Sequence, residues 1–404
     1  MRWLFFIIFY VLIDIYAFQA FRNFSKSWIF NSAYVITSVA VLVVFIYTLS
    51  TMNRSEGITT REMYIFGWFL VFFVPKLFLV LFMFGEDVIR LIIAAFSKIF
   101  SSQSSFHFPS RRKFVGAIAL GVAAIPFASL IYGMYKGKYR YRVLSYDLEF
   151  EDLPEAFDGY TLTQISDVHS GSFDDAEKIA YGIDLINKQQ SDVILFTGDL
   201  VNNFAKEMRG WTSLFSTLKA KDGVYSVLGN HDYGDYADWE SQQDKVQNLE
   251  DLKELQREMG WKLLLNEHIW LEKGDSRIAL VGVENWGAGF KQAGDIDKAS
   301  AGLTEQDFKI LMSHDPSYWA ERLKKDPKNY QLTLSGHTHG MQFGIEIPGV
   351  LRWSPVQYRY ENWAGIYKEQ NRVLNVNRGF GYLGYPGRVG IWPEVTVIKL
   401  KCKR

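Results

Sequence analysis

Cysteine is almost absent from this chain, with Cys402 alone among 404 residues. A single thiol excludes an intramolecular disulfide and any cysteine metal cluster. Repeats and low-complexity tracts are missing too, and so is a net positive charge over most of the length. The net charge is zero, from 44 basic and 44 acidic side chains, yet residues 1–142 hold 15 Lys/Arg against 5 Asp/Glu. The remainder therefore holds 29 basic against 39 acidic residues, or −10. Phosphate backbones are bound by clustered Lys and Arg, so this balance argues against nucleic acid as a main partner. An apolar content of 48% with 16% aromatics excludes intrinsic disorder and leaves ample material for a core.

Most of the long apolar runs lie before residue 140. Segments 3–21, 29–49, 63–84 and 114–135 are mostly apolar, and each is about 20 residues long, enough for a helix to cross the ~30 Å hydrocarbon layer. The joints at 22–26 and 51–62 are too short to be domains. The pattern predicts a four-helix transmembrane domain over 1–140, with the lipid bilayer as its partner. The first span is longer than a signal core and more spans follow, so it does not read as a cleaved signal. Between spans three and four, 86–100 places Arg90, Ser97 and Lys98 on one helical face. It fits an interfacial amphipathic helix or a continuation of the third span.

Two ionisable residues lie inside spans, Asp14 in the first and Lys76 in the third, just after Pro75. Alternating topology makes these spans parallel and puts the two residues at similar depth. A charge in the membrane normally finds a partner, which predicts that they pair; separate exposure to water is the alternative. Orientation is less constrained, because basic residues on alternate loops balance at 7 against 7. The run Ser110-Arg111-Arg112-Lys113-Phe114-Val115 ahead of an apolar stretch resembles a twin-arginine export signal; a plain basic anchor reads the same way. Both keep Arg111–Lys113 in the cytoplasm and put the C-terminal domain outside. Lys136, Lys138, Arg140 and Arg142 favour the opposite, cytoplasmic face.

From residue 144 to 404 the pattern changes to short apolar runs, turns and amphipathic helices. Segment 174–190 is one such helix, with Asp174 available as its cap and Ile179, Ile183 and Ile186 on one face; segment 244–259 is a charged surface helix. Five buried-type strands run directly into polar residues. They lead to Asp167-Val168-His169, Gly198-Asp199, Gly229-Asn230-His231-Asp232, Ser313-His314 and Gly336-His337-Thr338-His339. In open α/β sheets the ligand site lies beyond the carboxyl ends of strands, where such residues can converge. Five of the seven histidines occupy these positions; the others are His107, in a polar loop, and His268, beside an apolar run.

The order and spacing of these motifs resemble the calcineurin-like metallophosphoesterase superfamily. The likeness is to its bacterial membrane-linked or exported branch, which includes a UDP-diacylglucosamine hydrolase type, and it covers roughly 144–400. It implies a four-layer α/β fold of two packed sheets flanked by helices. It also implies two divalent metal ions (manganese, iron or zinc). Asp167, His169, Asp199 and His339 would hold one, and Asp199, Asn230, His314 and His337 the other, with Asp199 bridging. His231 is the family's histidine outside the ligand set, a candidate to stabilise the transition state or protonate the leaving oxygen. Asp232 would orient it or act as a structural cap. Where the branch commonly has Gly-Gly-Gln, this chain has Gly340-Met341-Gln342, at no ligand position.

Carboxylate, amide and imidazole ligands without cysteine suit a catalytic centre for such cations. A shared carboxylate can hold two of them ~3.5–4 Å apart, lowering the pKa of a bridging water for in-line attack on a phosphoryl group. Such sites hydrolyse monoesters, diesters and pyrophosphates, and the motifs do not choose among them. The short link to the last span and the aromatic stretches 233–239 and 353–367 point to a phospholipid or lipid-linked phosphate ester. A tethered phosphatase or nucleotide hydrolase of broad range, a cytoplasmic-face UDP-2,3-diacylglucosamine hydrolase and a metal-bound scaffold without turnover remain open. Oligomeric state is not readable.

Overall fold

The computed structural model describes residues 2–100, 109–347 and 349–403, and His107 lies outside them. The chain divides into two compact units, Met1–Met52 with Tyr64–Gly133, and Asn53–Met63 with Met134–Arg404.

The first unit is built from α1 (Arg2–Phe24), α2 (Trp28–Thr51), α3 (Thr60–Phe100) and α4 (Pro109–Tyr135). Each contains a stretch long and apolar enough to span a membrane. Segment 86–100 is the continuation of α3 and not a separate interfacial helix. At 1.5 Å per residue a 41-residue helix runs about 60 Å, twice the hydrocarbon thickness. Its polar turn is held by side-chain pairs: Arg90 pairs with Glu86 at 3.0 Å and with Asp87 within the helix, and Tyr16 of α1 donates to Asp87. Lys76 Nζ donates to Asp14 Oδ1 at 2.6 Å, Ser38 Oγ at 2.7 Å and Tyr10 Oη at 3.2 Å. Tyr34 and Ser38 add two more donors to the same Asp14 oxygen, at 2.9 and 2.6 Å. The two membrane charges therefore do find each other. The basic run 110–115 belongs, by its backbone, to α4.

The second unit holds β1 (Arg142–Phe150), β2 (Thr161–Ile165), β3 (Val193–Phe196), β4 (Val224–Ser226), β5 (Trp261–Leu263), β6 (Glu267–Lys273) and β7 (Ser276–Gly282). It continues with β8 (Lys309–Met312), β9 (Leu332–Ser335), β10 (Ile345–Ile347), β11 (Leu351–Trp353), β12 (Gly365–Glu369), β13 (Arg372–Val376) and β14 (Glu394–Cys402). One six-stranded sheet has the order β1-β14-β2-β3-β4-β5, the other β12-β13-β9-β8-β7-β6; β10 and β11 form a separate hairpin. Runs β2-β3-β4-β5 and β13-β9-β8-β7 are parallel.

Side chains alternate faces along a strand, and the central strands use both faces. Val193 and Leu195 of β3 point into a core shared with Ile310 and Met312 of β8, while Ile194 and Phe196 face outward. Parallel strands covered on both faces read as continuous apolar runs. The outer face of the first sheet is closed by α5 (Ala176–Asn187), through Ile179, Ile183 and Ile186. Each such side chain contributes roughly 1.5–3 kcal/mol when fully buried. The outer face of the second sheet is closed by Tyr318 and Trp319, from the helix Pro316–Glu321. The result is four layers, helix-sheet-sheet-helix.

Two sequence-based helix boundaries shift. Asp175, not Asp174, caps α5, its carboxylate accepting from Lys178 N at 3.1 Å. Asp174 is taken instead by Lys138 at 2.6 Å and by the Tyr139 and Tyr382 hydroxyls. The charged helix runs Gln242–Glu258 and is capped by Ser241.

Candidate metal centre

All five polar strand-end motifs converge at the carboxyl ends of β2, β3, β4, β8 and β9. Asp167, His169, Asp199, His337 and His339 have φ between 48° and 72°, the left-handed region that a residue with a Cβ rarely adopts. Each costs of order 1–2 kcal/mol. Backbone strain of this kind gathers at functional sites, where the surroundings over-determine it. Close packing allows the turns to meet. A Cβ at Gly336 would lie 1.9 Å from Ser166 Oγ and 2.2 Å from Asp167 Oδ2.

The ligand-type atoms fall into two groups, buried except for the half-buried His337. Asp167, His169 and His339 form one and Asp199, His314 and His337 the other, with the atoms of each within 4.8 Å. In the first, His339 Nε2 is 2.9 Å from His169 Nε2 and 3.2 Å from Asp167 Oδ1. In the second, Asn230 Oδ1 lies 2.8 Å from His337 Nδ1, and Asn230 Nδ2 donates to Tyr236 Oη at 2.8 Å, which leaves the amide oxygen facing the group. Asp199 Oδ2 faces both, 3.1 Å from His314 Nε2 and 3.6 Å from His169 Nε2.

The rings are oriented by atoms outside the groups. His314 Nδ1 donates to Thr197 O at 2.7 Å, which leaves Nε2 to face Asp199. His169 Nδ1 is held by Asn202 Oδ1 at 3.1 Å. His337 Nε2 meets Tyr360 Oη at 2.8 Å and Asp315 Oδ2 at 3.3 Å. Carboxylates and carbonyls behind an imidazole fix its tautomer and raise its strength as a ligand.

Charge is finely balanced here. Burial holds His169 well below the ordinary histidine pKa, and His339 beside it acts the same way, so its imidazole is neutral and able to ligate. Burial also opposes charge on His314, but the Asp199 carboxylate outweighs it and raises this group to about 10. His314 Nε2 is buried and makes no aligned hydrogen bond. Two buried carboxylates, Asp167 and Asp199, thus need positive charge between them, from a proton or from cations. Oxygen and nitrogen donors in these numbers fit divalent cations of the manganese, iron or zinc kind.

His231 stands at the rim, half-buried. Its Nδ1 donates to Asn202 O at 2.8 Å, its backbone N–H donates to Asp199 Oδ1 at 2.8 Å, and Nε2 is left for a ligand. Asp232 does not orient this ring. Its carboxylate accepts the backbone amides of Asp199, Leu200, Val201 and Gly229 at 2.9, 2.8, 3.3 and 2.9 Å. It ties the β3 and β4 ends together from behind, so the structural cap is the arrangement observed.

Sequence reasoning missed Asn202, Asp315 and Tyr360. Asp315 directly follows His314, and its adjacency to a ligand was the available signal. Tyr360 sits within the aromatic stretch 353–367, whereas nothing in the sequence marks Asn202 as the residue between two histidines.

Family comparison settles the class. Residues 1–138 match a probable calcineurin-like phosphoesterase transmembrane domain, and residues 160–341 match the calcineurin-like phosphoesterase domain. The chain carries a calcineurin-like phosphoesterase domain behind a phosphoesterase-type transmembrane domain. A transmembrane protein with metallophosphoesterase domain from Danio rerio is 28% identical over 67% of this chain and 60% of its own length. The chain thus spans less than two thirds of that relative. The metallophosphoesterase YkuE of Bacillus subtilis is 28% identical over 72% of this chain and 98% of its own. A Campylobacter jejuni metallophosphoesterase is 24% identical over 97% of this chain and 96% of its own, so the likeness there extends through the membrane helices. The chain therefore carries two candidate metal-binding groups, in a domain whose family uses a dinuclear metal centre.

Proposed function

We propose that this phosphoesterase hydrolyses a phosphodiester or pyrophosphate bond of a phospholipid or lipid-linked substrate, at a centre holding two divalent cations. The observation that carries the two-cation reading is Asp199 Oδ2, which faces both ligand groups from within 3.6 Å. Asp167, His169 and His339 would hold one cation, Asn230, His314 and His337 the other, and Asp199 both. When bound, such a pair supplies Lewis acidity, activating water and drawing charge from phosphoryl oxygens.

The chain's own residues do the rest. Asn202 holds the His231 Nδ1 proton, which leaves Nε2 for a ligand. From there His231 can donate to a phosphoryl oxygen or protonate the departing oxygen. Asp232, Thr197 and Asp315 hold the turns and rings that would otherwise drift.

Lipid specificity rests on the setting. Only residues 136–141 link α4 to β1, a reach of about 20 Å even when extended, so the domain that holds the site is tethered to a membrane-spanning segment. The basic run 110–115 supports an extracytoplasmic catalytic domain. A UDP-diacylglucosamine substrate would require the cytoplasmic face instead.

The test is hydrolysis by the full-length protein in detergent with Mn²⁺. A lipid-linked pyrophosphate is compared with a soluble nucleotide diester, and Asp199→Asn serves as the blank. A preference of tenfold or more for the lipid substrate supports the reading. Equal rates would mean a tethered phosphoesterase of broad range. Accessibility of an engineered surface cysteine to a membrane-impermeant maleimide in intact cells would decide the orientation.

A further inference from the structure

A two-stranded ribbon normally turns its apolar face to the domain it packs on and its polar face to water. The β10–β11 hairpin does the reverse. Its register places Ile345 opposite Trp353 and Ile347 opposite Leu351 on one face, with Glu346 opposite Arg352 on the other. Glu346 pairs with the buried Arg378, and Arg352 donates to Ala364 O at 2.5 Å, so the polar face is the one tied to the domain. All four apolar side chains are exposed.

The exposed apolar residues cluster along the chain. Outside the membrane helices, ten large hydrophobic residues are strongly exposed among the described residues, and seven fall between Met341 and Tyr358. Val350 at the tip and Tyr358 beyond the hairpin are each 80% exposed. Scattered apolar residues are ordinary on a protein surface, but a grouped patch marks an interaction site. Aliphatic residues flanked by Trp and Tyr are what a membrane-water interface selects.

We propose that this hairpin is an interfacial anchor that inserts Ile345, Ile347, Val350 and Leu351 into the lipid surface of the bilayer. The connection of 136–141 ties the domain that carries the hairpin to a membrane-spanning helix, whereas a soluble partner would have to be recruited. The anchor also connects to the metal centre. Ser354 Oγ donates to Gly340 O at 2.7 Å, just after His339, and Tyr360 Oη meets His337 Nε2 at 2.8 Å. On the lipid-substrate reading of the site, insertion would leave the substrate's chain in the bilayer while its phosphate reaches His337 and His231.

The insertion itself is testable without turnover. Val350→Cys in a Cys402→Ser background, in the full-length protein, is labelled with an environment-sensitive fluorophore and reconstituted in phosphatidylcholine/phosphatidylglycerol vesicles. Asp275→Cys, in the β6–β7 turn at the opposite strand ends, is the control. Doxyl-labelled lipid should quench the Val350 probe at least threefold more than the control, and aqueous iodide should quench it less. Quenching by iodide equal to the control would overturn the anchor. Shielding from both quenchers would also overturn it, because that points to a protein contact such as a second copy. Separately, Val350→Asp with Leu351→Asp should lower kcat/KM for a lipid-linked pyrophosphate in vesicles at least tenfold and leave a soluble diester unchanged. A failure in this arm alone would count against the lipid substrate and not against insertion.

Discussion

Asp199 and His231 are joined through the carboxylate oxygen that does not face the metal groups. Asp199 Oδ1 accepts the His231 backbone N–H at 2.8 Å, and Oδ2 lies between His314 and His169. One side chain thus sets both the shared ligand position and the placement of the histidine at the rim.

That division predicts different losses from the two residues. His231→Ala should lower kcat by about 10²–10⁴-fold, the range for losing a general acid, with both cations still bound. Metal analysis by inductively coupled plasma mass spectrometry checks this. An ion lost from the His231→Ala protein would move His231 into the ligand set.

Asp232→Ala should act on stability first. Four backbone amides lose their acceptor, and each unsatisfied buried donor costs ~1–3 kcal/mol. Thermal melting should show a fall of about ten degrees or more, while the pH profile of kcat in the remaining folded enzyme is unchanged. A shifted profile at unchanged Tm would make Asp232 a partner of the chemistry.

In the membrane unit, Lys76 and Asp14 sit 2.6 Å apart with Ser38, Tyr10 and Tyr34 around them. Removing one partner strands the other charge, which costs about 3–5 kcal/mol where burial is complete. Asp14→Asn and Lys76→Met should each destabilise the protein in detergent, and the double variant should cost clearly less than their sum. A strictly additive double variant would show that the contact carries no coupling energy.

Cation binding should release protons. Without a cation the Asp199 carboxylate keeps His314 protonated up to about pH 10, and a ligating imidazole must be neutral. Affinity for Mn²⁺ or Zn²⁺ should therefore rise with pH across 6 to 8. Calorimetry of the metal-free protein at pH 7, in buffers of different ionisation enthalpy, should report about one proton released. Binding with no proton release and no pH dependence would contradict this balance.

Much of this was legible in the primary structure because strand and motif are contiguous there. Leu311 and Met312 run straight into Ser313-His314, and Val193–Phe196 into Gly198-Asp199, so strand ends could be read as ligand positions. Asp232 read equally well as a partner of His231 or as a cap, because adjacency does not say where a carboxylate points. Asn202 and Asp315 act through contacts that only the folded turns create. Nor could the hairpin's reversed amphipathicity be read. Ile345, Ile347 and Leu351 alternate like any half-buried strand, and which face meets solvent is decided by Glu346 reaching Arg378. Segment 86–100 fitted an interfacial helix as well as an extended α3, since its charges satisfy one another within the helix in either case.

The most direct test of the account is the metal content of the purified full-length protein beside that of Asp199→Asn, measured together with hydrolysis of a phosphodiester. The account predicts two divalent cations per wild-type chain, metal-dependent turnover, and loss of both turnover and the second cation in Asp199→Asn. One cation per wild-type chain, or full activity in Asp199→Asn, would contradict a centre bridged by Asp199.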